Sequence, residues 1–99
     1  MQLRLLVTGG SGVLGRATIP LLRAEGHEID APAPAKLDLF DSAAVASAVD
    51  GAAAILHLAA RIPPRERACE SEAWRENDRL RAEASSLLVV AGLAAEAET

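Results

Sequence analysis

Short apolar runs alternate with longer stretches of helical period along this chain. Leu3, Leu5, Leu6 and Val7 form the first run, which Thr8-Gly9-Gly10 closes. A run of that length, ended by glycines and followed by a helical pattern, predicts a strand buried in a parallel sheet. From Val13 to Ala24, the apolar residues Val13, Leu14, Ala17, Leu21 and Leu22 recur at helical spacing, and Gly26 supplies the stop. Pro20 falls inside that pattern and predicts a bend or loosened first turns. His27 to Ala31 reads as a second strand, closed by Pro32 and Pro34, and Leu37 to Phe40 as a third, very short one. Ser42 to Val49 predicts a short helix with Ser42 as its N-cap and Asp50-Gly51 as its end. Ala53 to Ala59 reads as a fourth strand, apolar on both faces except at His57. A polar, proline-containing loop follows. Glu72 to Glu96 then forms one long helical pattern, with Leu80, Ala84, Leu87, Leu88 and Ala91 on a single stripe and Gly92 interrupting it near the end.

Strand alternating with helix is the pattern of an α/β domain with a parallel sheet and right-handed crossovers. With 99 residues there is room for one small domain. No repeat, linker or low-complexity tract divides it. The apolar half of the composition is mostly Ala, Leu and Val, with one Trp, one Phe and no Tyr, which predicts close helix–sheet packing by small side chains. Ten basic residues are interleaved with fourteen acidic ones, for a net charge of −4, so no basic surface points to a nucleic-acid partner. A lone Cys69 excludes an internal disulfide. No apolar run approaches the roughly 20 residues of a membrane span. The N-terminus enters a strand pattern directly, without the layout of a signal peptide. The expectation is a soluble, cytoplasmic chain without a membrane partner.

The chemistry concentrates in "TGGSGVLG", where four glycines occupy Gly9 to Gly15. Gly9, Gly12 and Gly15 fall at G-x-x-G-x-x-G spacing between the first strand and the first helix. A tight strand-to-helix turn needs a residue tolerant of positive φ. A close approach to a pyrophosphate needs a residue without Cβ. Close helix–strand packing needs a third small position. An anion would then rest on the free N–H groups of the helix start at Val13 and Leu14, with the Ser11 hydroxyl beside them. A glycine-rich turn without a ligand is the alternative reading of these residues alone.

The form T-G-x-x-G-x-x-G resembles the motif of the extended short-chain dehydrogenase/reductases, the NAD-dependent epimerase/dehydratase family. "GHEI" is similar to that family's second strand, "LDLFD" to its third-strand motif, and "AILHLAA" to its fourth strand. "WRENDRLRAEASSLLVVA" resembles its following helix. The resemblance covers the whole chain. It implies the N-terminal half of a Rossmann-type, doubly wound sheet of about four strands in the order 3-2-1-4, with helices on both faces. It implies NAD or NADP as cofactor, with Asp38 and the Leu39 backbone at the adenine. Leu58, Ala59 and Ala60 would lie along the ribose and pyrophosphate, and Asn77 near the nicotinamide. Together with Gly9, Ser11, Gly12, Val13, Leu14 and Gly15, these are the expected cofactor-binding residues.

Three departures from the family pattern matter. NAD-preferring relatives carry an Asp after the second strand, where this chain has Ala33, and NADP-preferring ones often an Arg, where it has Pro34. Asp30 falls mid-strand, and Lys36 is available to a 2′-phosphate, so the choice between NAD and NADP stays open. "NDRLRAEAS" replaces a small-residue segment after the Asn. Finally, the family's catalytic Ser and Tyr-x-x-x-Lys have no counterpart, since the chain contains no Tyr and only Lys36. Neither a catalytic residue nor a metal ligand is therefore assigned.

The expected function is that of the cofactor-binding portion, residues 1–99, of an oxidoreductase acting on sugar-nucleotide-like substrates, with catalytic segment and substrate domain absent. The alternatives are a non-catalytic NAD(P)-binding regulatory module and a non-functional fragment. The fourth strand, left as an apolar sheet edge, predicts self-association. Of the other polar residues, His57 reads first as a strand histidine satisfied by backbone, and Asp41 as a helix-start residue.

Overall fold

The alternating periods become a three-stranded parallel sheet flanked by helices in a computed structural model that describes residues 2–96. The elements are β1 (Arg4–Thr8), α1 (Val13–Ala24), β2 (Glu28–Asp30), α2 (Ser42–Val49), β3 (Ala54–His57), α3 (Arg75–Arg79) and α4 (Ser85–Ala95). β1 lies in the centre, pairing with β2 through Leu5↔Ile29 and with β3 through Leu6↔Ile55, and β3 ends the sheet. A run buried on both faces belongs in the middle of a parallel sheet. Leu5, Leu6, Val7 and Thr8 are accordingly all buried.

Side chains alternate across a strand, so Leu6 and its neighbour Ile55 share one face. There they meet Val45 and Val49 of α2, Ala52, and Leu88 of α4 to form the main core. Full burial of such aliphatic side chains stabilises by roughly 1.5–3 kcal/mol each. Gly92 does not interrupt α4 as the sequence pattern predicts. It is buried within the helix, where a small residue serves close packing. Leu5 and Val7 face the other way, toward the side on which a right-handed crossover sets α1.

The helix ends follow local chemistry. Gly26, at φ +91°, closes α1: its N–H reaches the Arg23 carbonyl at 2.9 Å, and that of His27 reaches Leu22 at 3.2 Å. This is the paired bonding of a Schellman turn. The helix runs unbroken through Pro20. At α2 the N-cap is Asp41 and not the expected Ser42. Asp41 has extended backbone angles, and its Oδ1 accepts from the N–H groups of Ala43 (3.0 Å) and Ala44 (3.3 Å), which moves Ser42 into the first turn.

The expected third strand at Leu37–Phe40 is absent, so the order 3-2-1-4 reduces to its 2-1-4 part. Backbone donors there go to local turns instead of a ladder. Lys36 N–H bonds Ala33, Phe40 N–H bonds the Asp38 carboxylate at 2.9 Å, and Asp41 N–H bonds the Asp38 carbonyl. Asp competes well for its own backbone in this way. β3 is also shorter than Ala53–Ala59.

The single long helix expected from Glu72 becomes a helical stretch of changing pitch. It begins as a 3₁₀ turn at Ser71–Trp74, continues as α3, passes through a π turn at Leu80–Ala84 and resumes as α4. The predicted stripe survives this change, with Leu80, Ala84 and Leu88 all buried.

Candidate functional site

A groove of about 790 Å³ opens beyond the carboxyl ends of β1 and β3, where the strand order reverses. Ligands of open α/β sheets bind at such a switch point, and the volume falls within the small-molecule range. One wall is the glycine turn with the head of α1, a second is the segment after β3, and a third is the proline-rich connection after β2.

The glycines of the first wall divide by what a Cβ would strike. At Gly9, with φ +70°, it would lie 2.5 Å from the Ala59 nitrogen. At Gly10 it would lie 2.9 Å from Ala31 and Ile19 side chains, and at Gly15 2.5 Å from the Gly9 and Gly10 backbone. These three glycines are required by the protein's own packing. Gly12 is different: its φ is −77°, open to any residue, and a Cβ there would meet only the Gly9 carbonyl, at 3.3 Å. It borders the groove at the N-cap of α1, a helix end that no side chain caps. A missing Cβ that packing does not require, beside unpaired amides, fits a diphosphate.

Beside the groove a half-buried network joins β1, β3 and the π turn. His57 Nε2 lies 3.0 Å from the Leu80 carbonyl, which can only accept, so Nε2 carries the proton. Nδ1 then accepts from the Thr8 hydroxyl at 2.6 Å, and Thr8 Oγ1 in turn accepts from the N–H groups of Leu58 (3.1 Å) and Ala59 (3.2 Å). His57 is satisfied by hydrogen bonds, largely as a strand histidine should be. Thr8, one of the two buried polar residues among those described, was visible in the sequence only as the strand's last residue. Replacing Thr8 with valine keeps the shape but leaves Ala59 N–H and His57 Nδ1 without partners. We expect a loss of about 2 kcal/mol in urea unfolding, largely spared by Thr8→Ser.

Of the expected cofactor residues, Gly9, Ser11, Gly12, Val13 and Leu14 line the first wall, and Leu58, Ala59 and Ala60 the second. Asp38 and Leu39 line the third wall, where Asp38 also makes the Phe40 turn. Two residues stand apart. Gly15 is buried against the turn. Asn77 is buried as well, and its Oδ1 accepts from the Arg61 N–H at 3.0 Å, tying the segment after β3 to α3.

The sequence reading did not single out Phe40, Arg61, Ile62 and Glu76, which also line the groove. Phe40 is held from outside by the Arg79 guanidinium, 4.1 Å from its ring centroid. A guanidinium stays charged in proteins, and the hydrogen bond of Arg79 to Glu83 raises its pKa further above the ordinary value. No periodicity marks these residues, because turns and tertiary packing assemble them.

This architecture is that of the N-terminal part of solved sugar-nucleotide reductases and related dehydrogenases. It matches a dTDP-4-dehydrorhamnose reductase ortholog from Clostridium acetobutylicum with TM-score 0.81 and 22% identity, over 96% of this chain and 34% of that one. The dTDP-4-dehydrorhamnose reductase of Bacillus anthracis, solved in complex with NADP, gives TM-score 0.77 and 23% identity over 98% of this chain and 34% of that one. A short-chain dehydrogenase/reductase superfamily protein from Agrobacterium tumefaciens, with bound NAD, gives 0.74 and 25% over 95% and 30%. Residues 5–86 match the NAD dependent epimerase/dehydratase family, and the chain belongs to it. In sequence it is also similar to the dTDP-4-dehydrorhamnose reductase of Streptomyces griseus, 52% identical over 46 residues, which are 46% of this chain and 15% of that protein. The chain thus spans about a third of these solved structures' length or less. Among the described residues, no helix is long and apolar enough to cross a membrane.

Proposed function

We propose that this chain is the NAD(P)-binding N-terminal portion of an epimerase/dehydratase/reductase-type oxidoreductase. In a longer form it acts on sugar-nucleotide-like substrates, and residues 1–99 alone do not complete its catalytic set. Gly12 carries the reading, as the one turn glycine that internal packing does not demand, at an uncapped helix head on the groove wall.

The bound dinucleotide would supply hydride transfer. The amides of Val13 and Leu14 and the Ser11 hydroxyl bind its diphosphate. Leu58, Ala59 and Ala60 flank the ribose, and Asp38 with Leu39 orients the adenine. Asn77 fixes the neighbouring wall through Arg61. A proton donor of tuned pKa must accompany hydride transfer to a carbonyl. The family's tyrosine for that role has no counterpart here.

The groove also bears on the cofactor's 2′ position. Asp30 pairs with Leu6 in the ladder and does not line the groove, whose wall after β2 is Pro32 and Pro34. A carboxylate there favours a free 2′-hydroxyl and a basic residue favours a 2′-phosphate, but these prolines offer neither. We expect NADH and NADPH to bind saturably, with dissociation constants within about tenfold of each other. Calorimetric titration of the folded chain with each nucleotide tests this. Absence of saturable heat with both refutes the proposed function, and a larger ratio refutes the indifference at the 2′ position.

A further inference from the structure

Arg61 is the only cation among the described residues that line the groove, and it is held in two different ways. Its backbone N–H is bound by the buried Asn77, so its place on the wall is set. Its guanidinium is held, among the described residues, by one ion pair, Nε to Glu76 Oε2 at 3.3 Å, between side chains that are 66% and 53% exposed. The partners of both bonds are neighbours on α3, and Glu76 itself lines the groove. A fixed backbone with an exposed side chain lets the guanidinium change partner without moving the wall. Exposed pairs of this kind are weak, so an anion of higher charge entering the groove is able to compete for it.

We propose that Glu76 and Arg61 form an exchangeable ion pair at the groove, in which Glu76 occupies the guanidinium until a diphosphate anion replaces it. This rests on the dinucleotide reading of the groove. Glu76 is then an internal competitor that lowers the affinity of the free site, and Arg61 is the group that gains from its displacement. Arginine suits the exchange, because its fork of donors matches carboxylate and phosphate alike.

Calorimetric titration with NADH at low salt, on wild type, Glu76→Gln, Arg61→Gln, the double variant and Gly12→Val, tests the proposal. Glu76→Gln is expected to bind about two- to fivefold more tightly than wild type. Arg61→Gln should bind more weakly, and Glu76→Gln added to it should bring a clearly smaller gain. Thermal melts should stay near wild type, since both side chains are exposed. Unchanged or weaker binding by Glu76→Gln overturns the exchange. So does an equal gain with and without Arg61, which would mean simple repulsion of the anion by Glu76. If wild type and Gly12→Val alike bind nothing, the dinucleotide reading itself falls, and the exchange with it.

Discussion

Replacing Gly9 with alanine is expected to abolish the cooperative unfolding transition of the chain. Two costs combine at this position. A residue with a Cβ at φ +70° pays roughly 1–2 kcal/mol for left-handed backbone. The Cβ would also lie 2.5 Å from the Ala59 nitrogen and 2.6 Å from the Leu58 carbonyl carbon. Both are backbone atoms at the end of β3, which the Thr8 network already ties down, so no side-chain rotation relieves the contact. A total above about 3 kcal/mol is a large share of what a domain of this size holds. Gly26→Ala is the internal control. Gly26 also has positive φ, at +91°, but a Cβ there meets nothing within 4 Å. It should cost about 1–2 kcal/mol, and its melt should stay cooperative. Circular dichroism melts of the two variants decide the matter. A cooperative Gly9→Ala melt near that of Gly26→Ala would show that the turn does not pack on β3 as described.

Gly12→Val is expected to separate folding from binding in the opposite sense. Its backbone lies at φ −77°, and the single close neighbour is the Gly9 carbonyl. Stability should therefore change by no more than about 1 kcal/mol. The added methyl groups stand at the groove wall over the helix head, where a diphosphate would approach the amides. Losing two charge-assisted hydrogen bonds of about 1.5 kcal/mol each weakens dinucleotide binding by about a hundredfold or more. Fluorescence titration with NADH, alongside a melt, reads both effects. Wild-type affinity in Gly12→Val would place the nucleotide elsewhere.

The contrast between these two glycines marks how far the sequence could be read. Spacing picked out Gly9, Gly12 and Gly15 and the separate demands of turn, close approach and packing, but not that Gly10 is closed in by Ala31 and Ile19. The helix bounds Val13–Ala24 and Ser42–Val49 were legible because periodicity and stop residues act over a few positions. The Leu37–Phe40 strand failed because a strand exists only by pairing, and local turns through Asp38 took the donors a partner would have needed. The π turn at Leu80–Ala84 left no mark in the apolar stripe, which reads the same through either pitch. Arg61 lies in the polar, proline-containing loop and Glu76 in the helical pattern after it, and only the tie of α3 to the segment after β3 puts both on the groove.

The order of strand and helix, the glycine turn and the absence of a tyrosine belong to the chain by itself, as do the buried central strand and the stripe of the last helix. These depend on residue type and short-range spacing. The tertiary structure decided the rest: that Gly10 too is closed in by packing, how Thr8 and His57, 49 residues apart, come to share a hydrogen bond, and what Asn77 holds. Those outcomes depend on strand register and on how closely helices approach the sheet, quantities set by the packing of the whole chain at once.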